Sequence, residues 1–240
     1  MNNLIKTEAY KWLKSKTFRG LFIYFLLILF FLLRRDAEIT AIEFIDVLDP
    51  YIMFMFIYII VCFLGLTVVY EFKTGYIESA VANGYSREKV YLSKLTSYIL
   101  AAIIFCVLIF VAVFIAVILI SGAGYQVSSL HFYNVLKIFS ATIFLIFTVT
   151  SFINMVSFIS KRMEIVVFIF LLDWMFFALQ QGIQNNWFRR IMDNHPYNRF
   201  IIALGESSGL KEISLLIGVS TIAVFLFNHI GINCFKKSDI

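Results

Sequence analysis

Long apolar runs alternate with short polar interruptions along this chain. Residues 20–33, 51–70, 95–120, 138–160, 163–181 and 213–234 are nearly unbroken strings of Leu, Ile, Val, Phe, Ala and Tyr. A helix needs about 20 such residues to cross a bilayer, so the pattern predicts six transmembrane helices. Strands fit poorly: a membrane-barrel strand alternates over about ten residues, and these runs are longer and do not alternate. The first run is the shortest and reaches about 21 Å as a helix, which asks Arg19 and Arg34 to snorkel to opposite interfaces. Its basic start also suits a signal-peptide core. However, Arg34-Arg35-Asp36 stands where small cleavage-site residues belong, so a retained span is expected. The 95–120 run is long enough to require tilt or an interfacial end.

Composition agrees with the pattern. The 240 residues are 61% hydrophobic and 15% charged, with 28 Phe, and the mean hydropathy is +0.90. A soluble domain carries about 45–50% apolar and about 25% charged residues. The fold class expected is an all-α membrane protein. Residues 1–19 are expected to form an N-terminal interfacial elbow helix and residues 20–240 a six-helix transmembrane domain, with a cytosolic loop at 71–94 and an extracellular loop at 182–212.

Of the 20 Lys and Arg, thirteen fall in 1–19, 71–94, 161–162 and the C-terminal tail, and seven elsewhere. The positive-inside bias places both termini and the 71–94 loop in the cytoplasm of a cell-membrane protein. Four of the remaining seven lie in 182–212. The net charge of +5 sits at helix ends, where anionic lipid favours it, and no basic-aromatic groove points to nucleic acid. Cys62, Cys106 and Cys234 all fall in predicted spans and are expected as buried single thiols. Their spacing suggests neither zinc nor a disulfide framework.

In the first nineteen residues, Ile5, Ala9, Trp12, Leu13 and Lys16 recur at helical spacing, with Lys6, Glu8, Lys11 and Lys14 elsewhere. This predicts a helix lying at the membrane surface, with Trp12 in the headgroup layer. The loop 71–94 holds an apolar-small segment between Gly75 and Gly84. Ile77, Ala80, Val81 and Gly84 share one helical face. Asn83-Gly84 is a helix stop. Ser86 caps a new helix with Glu88 in its first turn. Glu71 and Lys94 bracket the whole. The expected order is helix, stop, new helix.

This layout resembles the permease subunits of ABC-2 type exporters, in particular bacteriocin-immunity and amphipathic-peptide exporters such as those for phenol-soluble modulins. Glu71, Gly75, Ser86, Arg87 and Lys94 match the loop pattern of that family. Gly84-Tyr85 stands where a proline is common. The long 182–212 loop, which in such permeases often carries short amphipathic helices, and the Phe235-Lys-Lys-Ser-Asp tail agree with it. The resemblance implies a non-catalytic transport subunit that exports amphipathic peptides or other hydrophobic or antimicrobial compounds by alternating access. It also implies a dimer, with itself or with a related chain, and two ATPase subunits. No phosphate-binding Gly-x-x-x-x-Gly-Lys-Ser/Thr motif occurs, so ATP and Mg2+ would be held by the partner ATPase. The ATPase-coupling residues implied are Glu71, Gly75, Ile77, Val81, Gly84, Arg87 and Lys94.

Two other classes remain open. A non-transporting sensor or immunity subunit shares the topology without an ATPase. An intramembrane CAAX-type protease is suggested by Phe225-x-x-x-His229-x-x-x-Asn233, although the paired glutamates of such enzymes are missing. Asp173, near the middle of the fifth run, is costly in a bilayer. It is expected to face protein or water, either as a protonated carboxyl hydrogen-bonded to a neighbouring helix or as a pathway or gating acid, with Asn154 and His229 as candidate polar neighbours.

Overall fold

The computed structural model describes residues 2–35, 50–121, 129–180, 193, 195–204 and 210–238, and among these every regular element is a helix. In chain order they are α1 (Asn2–Lys14), α2 (Lys16–Arg35), α3 (Pro50–Lys73), α4 (Tyr76–Ala82), α5 (Arg87–Ser121), α6 (Ser129–Ser160), α7 (Met163–Gln180), α8 (Pro196–Leu204) and α9 (Leu210–Lys237). The six apolar runs thus become α2, α3, α5, α6, α7 and α9. Among the described residues, three helices are long and apolar enough to cross a membrane: Arg87–Ala112, Lys137–Ser160 and Lys211–Lys237. A fourth is added if the bent pair α3 and α4 counts as one. In α2 and α7 the described apolar stretches are shorter, Phe18–Leu27 and Met163–Leu172. The acidic residues of 36–49, most of 182–212 and the side chain of Asp173 lie outside the described residues.

Helix α6 is the centre of the bundle and packs against α3, α5, α7, α8 and α9. Two thirds (67%) of its most apolar stretch is buried within the chain, against 17% for α9. Small residues allow this closeness, as expected where lipid supplies no hydrophobic drive between helices. A Cβ at Gly65 on α3 would lie 2.9 Å from Ser157 Oγ, and one at Gly231 on α9 would lie 2.8 Å from the Tyr91 ring. Tyr91 then donates to Asn228 Oδ1 (3.2 Å), and Asn228 Nδ2 donates to Ser151 Oγ (3.2 Å). This chain of hydrogen bonds joins α5, α9 and α6 inside the apolar interior, where an unpaired polar group would be costly.

Aromatic side chains lock the outer helices. Phe18, Phe22 and Phe25 stand on one face of α2 and meet Phe105 of α5 at 5.7, 5.8 and 5.1 Å, all near-perpendicular. At the other ends of these elements, Phe158 meets Phe72 (5.4 Å), Tyr91 (4.8 Å) and Phe235 (4.8 Å), so α3, α5, α6 and α9 converge on one ring cluster.

Three details of the sequence reading change. Trp12 is not an exposed surface anchor; it is buried against Tyr98 of α5 (5.3 Å) and Phe63 of α3 (6.4 Å). Helix α1 therefore turns a face including Ile5, Glu8, Trp12 and Ser15 inward, rotated by one position from the expected apolar face. Cys62 and Cys106 are buried, but Cys234 is exposed, because α9 turns that side away from the bundle.

Candidate functional site

The four segments that carry thirteen of the chain's basic residues meet at one end of the bundle. Lys11 of α1 pairs with Glu71 at the end of α3 (3.1 Å), and Lys94 near the start of α5 pairs with Glu8 of α1 (2.6 Å). Lys161, in the turn after α6, lies 5.3 Å from the Phe72 ring centroid. Arg87 reaches the C-terminal end of α9. The Arg199–Glu212 pair (3.2 Å) marks the start of α9, at the opposite end.

The polar loop 71–94 is built at this basic end. Gly75 adopts a left-handed conformation (φ 70°, ψ 11°) that side-chain-bearing residues rarely adopt. The chain consequently breaks and α4 leaves α3 at 65°. Asn83 ends α4, and Gly84 (φ 89°) turns the chain again. The Ser86 side chain accepts from Lys89 N (3.4 Å) and caps α5, with Glu88 in its first turn. The expected helix, stop and new helix are all present.

The loop is fastened on two sides. On one, Glu8, Lys11, Glu71 and Lys94 form an alternating ion cluster: Lys94 pairs with Glu8 and Glu71, and Lys11 with Glu8 (3.0 Å) and Glu71. The side chains of Lys94 and Glu8 are each 3% exposed. Two carboxylates and two ammonium groups leave the cluster neutral, which is what allows it to be buried. Tyr76, the first residue of α4, is drawn in: Lys11 Nζ sits 3.4 Å from its ring centroid and Lys94 Nζ 5.2 Å. Burial alone would lower the Lys11 pKa, but the carboxylates of Glu71 and Glu8 outweigh it and hold the ammonium above the ordinary lysine value.

On the other side, Arg87 Nη1 lies 3.2 Å from the carbonyl oxygen of Phe235, 2.9 Å from that of Lys236 and 2.5 Å from that of Ser238. All three stand at the C-terminal end of α9, where carbonyls run out of intrahelical donors; the Phe235 carbonyl also accepts from Ser238 N and Oγ, and a cation at this end complements the helix dipole. Lys236 pairs with Glu88 at 2.7 Å across the same junction, with both side chains about half exposed.

The sequence-derived coupling residues divide into four groups. Glu71 and Lys94 are in the ion cluster, Arg87 is in the α9 clasp, and Gly75 and Gly84 set the two turns. Ile77 is fully buried and Val81 packs against the core, so the apolar face of α4 roots it in this chain. What α4 presents outward is Ser79, Ala82, Asn83 and Gly84. Sequence reasoning missed Glu8, Lys11 and Tyr76 as members of the site. The usable signal was Glu8 and Trp12 sharing one helical face, four residues apart.

Elsewhere, Phe225, His229 and Asn233 do come together, with stacked rings at 6.1 Å and His229 Nε2 2.9 Å from Asn233 Nδ2. They lie on the exposed side of α9, whereas Asn154 is buried on α6, so His229 and Asn154 do not share a site. No family model matches the chain, and no curated protein matches it either.

Proposed function

We propose that this chain is the membrane permease subunit of an ATP-driven exporter of the ABC-2 type. Its six apolar runs cross the cell membrane with both termini cytoplasmic, and α1 is the elbow helix at the inner surface. It works as a dimer, with two ATPase subunits against its basic end, and moves amphipathic peptides or other apolar antimicrobial compounds outward by alternating access.

The observation that carries this reading is the fastening of α4. A soluble ATPase can move membrane helices only through a contact stiff enough to carry displacement. Helix α4 is short and rooted by Ile77, turns 65° from α3, and is continuous through both clasps with α1, α5 and α9. A push on its outward residues reaches four helices through packed side chains and ion pairs. Val81 faces inward, so the informative substitution is at the outer face.

The test is Ala82→Arg, with Asn83→Arg beside it, in chain purified together with any ATP-binding subunit that its gene neighbourhood encodes. Association is expected to fall at least tenfold while the melting temperature of the isolated chain is unchanged. Full association of both variants, or the absence of any ATP-binding partner, would reject the exporter reading in favour of a non-transporting membrane subunit.

A further inference from the structure

A cleft of about 400 Å³ opens between α1, α3 and α4, beside the ion cluster. That volume is in the range of small-molecule sites. We propose that it holds the headgroup of a phospholipid bearing a primary ammonium, and that this lipid is a fixed part of the α1–α3–α4 junction. The inference rests on the membrane placement of this end of the bundle, and not on an ATPase partner.

Charge selects the ligand class. The walls carry Glu8, Lys11 and Glu71, and Lys94 is shut away behind them. Because the four charges cancel, an anionic headgroup gains no net attraction and meets two carboxylates. A headgroup with both signs matches both walls. Its phosphate can sit toward Lys11, whose side chain is 36% exposed, and its ammonium toward Glu71, which is 15% exposed.

Two further observations narrow the choice. Trp12 lines this cleft, and its indole N–H is buried with no hydrogen-bond acceptor among the described residues. A buried donor left unpaired is costly, and a phosphate or glycerol oxygen would satisfy it. The Tyr76 ring is already covered by Lys11 at 3.4 Å. A quaternary ammonium, which relies on aromatic faces, therefore finds that face occupied. A primary ammonium can instead donate hydrogen bonds to the Glu71 carboxylate. The position also suits a lipid: the cleft lies at the end of two apolar helices, where the chain's basic residues gather and headgroups stand.

The experiment is native mass spectrometry of the full chain in detergent, titrated with phosphatidylethanolamine, phosphatidylcholine or phosphatidylglycerol. One phosphatidylethanolamine per chain is expected to be retained at least tenfold more strongly than the other two. Glu71→Gln should abolish that preference. Thr74→Trp, at the exposed rim and outside the ion cluster, should block retention without changing the melting temperature, so the test survives if Glu71→Gln fails to fold. Binding should also shift a component of the tryptophan emission that is missing in Trp12→Phe. Equal retention of all three lipids, strongest retention of phosphatidylglycerol, or unchanged retention in Thr74→Trp would overturn the proposal. Complete displacement by soluble glycerophosphoethanolamine would overturn the lipid assignment in favour of a free headgroup. None of these readings involves the ATPase, so failure here and failure of the exporter reading are separable.

Discussion

The two clasps that hold the 71–94 segment use different physics. On the α1 side, four charged side chains are gathered in one neutral cluster, with Glu8 and Lys94 almost fully sequestered. On the α9 side, a single guanidinium serves main-chain carbonyls, and the accompanying Lys236–Glu88 pair is about half exposed. A buried cluster is strongly conditional: each member is tolerable only while the others are present, and removing one strands a charge away from water. A solvated pair loses little when broken, because water replaces each partner. The α1 junction should therefore fail as a unit and the α9 junction by degrees. In the transport cycle proposed above, α1 would move rigidly with α3 and α5, and α9 would follow through the weaker but still connected Arg87 clasp.

The largest effect is expected for Lys94→Met, which removes the cation shared by Glu8 and Glu71. Breaking a buried pair from one side costs about 3–5 kcal/mol, read as a marked fall in the melting temperature of the detergent-solubilised chain. Adding Glu8→Gln restores neutrality, with Lys11 left for Glu71, and should recover a substantial part of the loss. A double variant no more stable than the single one would mean that steric packing, and not charge balance, holds α1 in place.

Next in size is Arg87→Lys. A lysine keeps the charge, but its side chain is one bond shorter than the arginine reach to Nη1, the single nitrogen that lies within 3.2 Å of all three carbonyls. Hydrogen bonds to a charged group contribute about 1.5–3 kcal/mol each at most, and part of this is retained by the ammonium. Amide hydrogen exchange should rise over the last turn of α9 and stay unchanged in α1. Faster exchange in α1 would show that the two clasps are one cooperative unit, against the contrast drawn above.

How much of this was legible in the sequence differs between the clasps. Gly75, Gly84 and Ser86 announced the two turns and the new cap, because positive φ and capping oxygens have residue signatures. Glu71 and Lys94 stood out as charges at the mouths of apolar runs. Glu8 did not: on a short, mixed helix the apolar face can be drawn one residue to either side, and a carboxylate is naturally placed on the wet one. Burial of Glu8 follows from Lys94, a partner 86 positions away (8 to 94) that only tertiary packing supplies. The Arg87 clasp was visible as a residue but not as a contact, since its acceptors are backbone carbonyls and any sequence provides those. The helices were legible as apolar runs. Which faces they pack was not, because unbroken apolarity suits lipid and protein neighbours equally.

The smallest effect is expected for the Glu88–Lys236 pair. Its 2.7 Å separation is short, yet each side chain keeps roughly half of its exposure. Such pairs contribute about 0–1 kcal/mol, with ordering of two long side chains offsetting much of the attraction. Salt screens what remains, since the Debye length is about 8 Å at physiological ionic strength. Lys236→Ala should therefore leave the melting temperature within about a degree of wild type, and raising the salt concentration should erase even that difference. The same salt series applied to Lys94→Met should leave its deficit largely intact, because the Lys94–Glu8 pair at the heart of the cluster is almost fully sequestered from screening ions. If high salt instead removed the Lys94→Met deficit, the α1 cluster would be accessible to ions, and the two clasps would differ in number of contacts but not in kind.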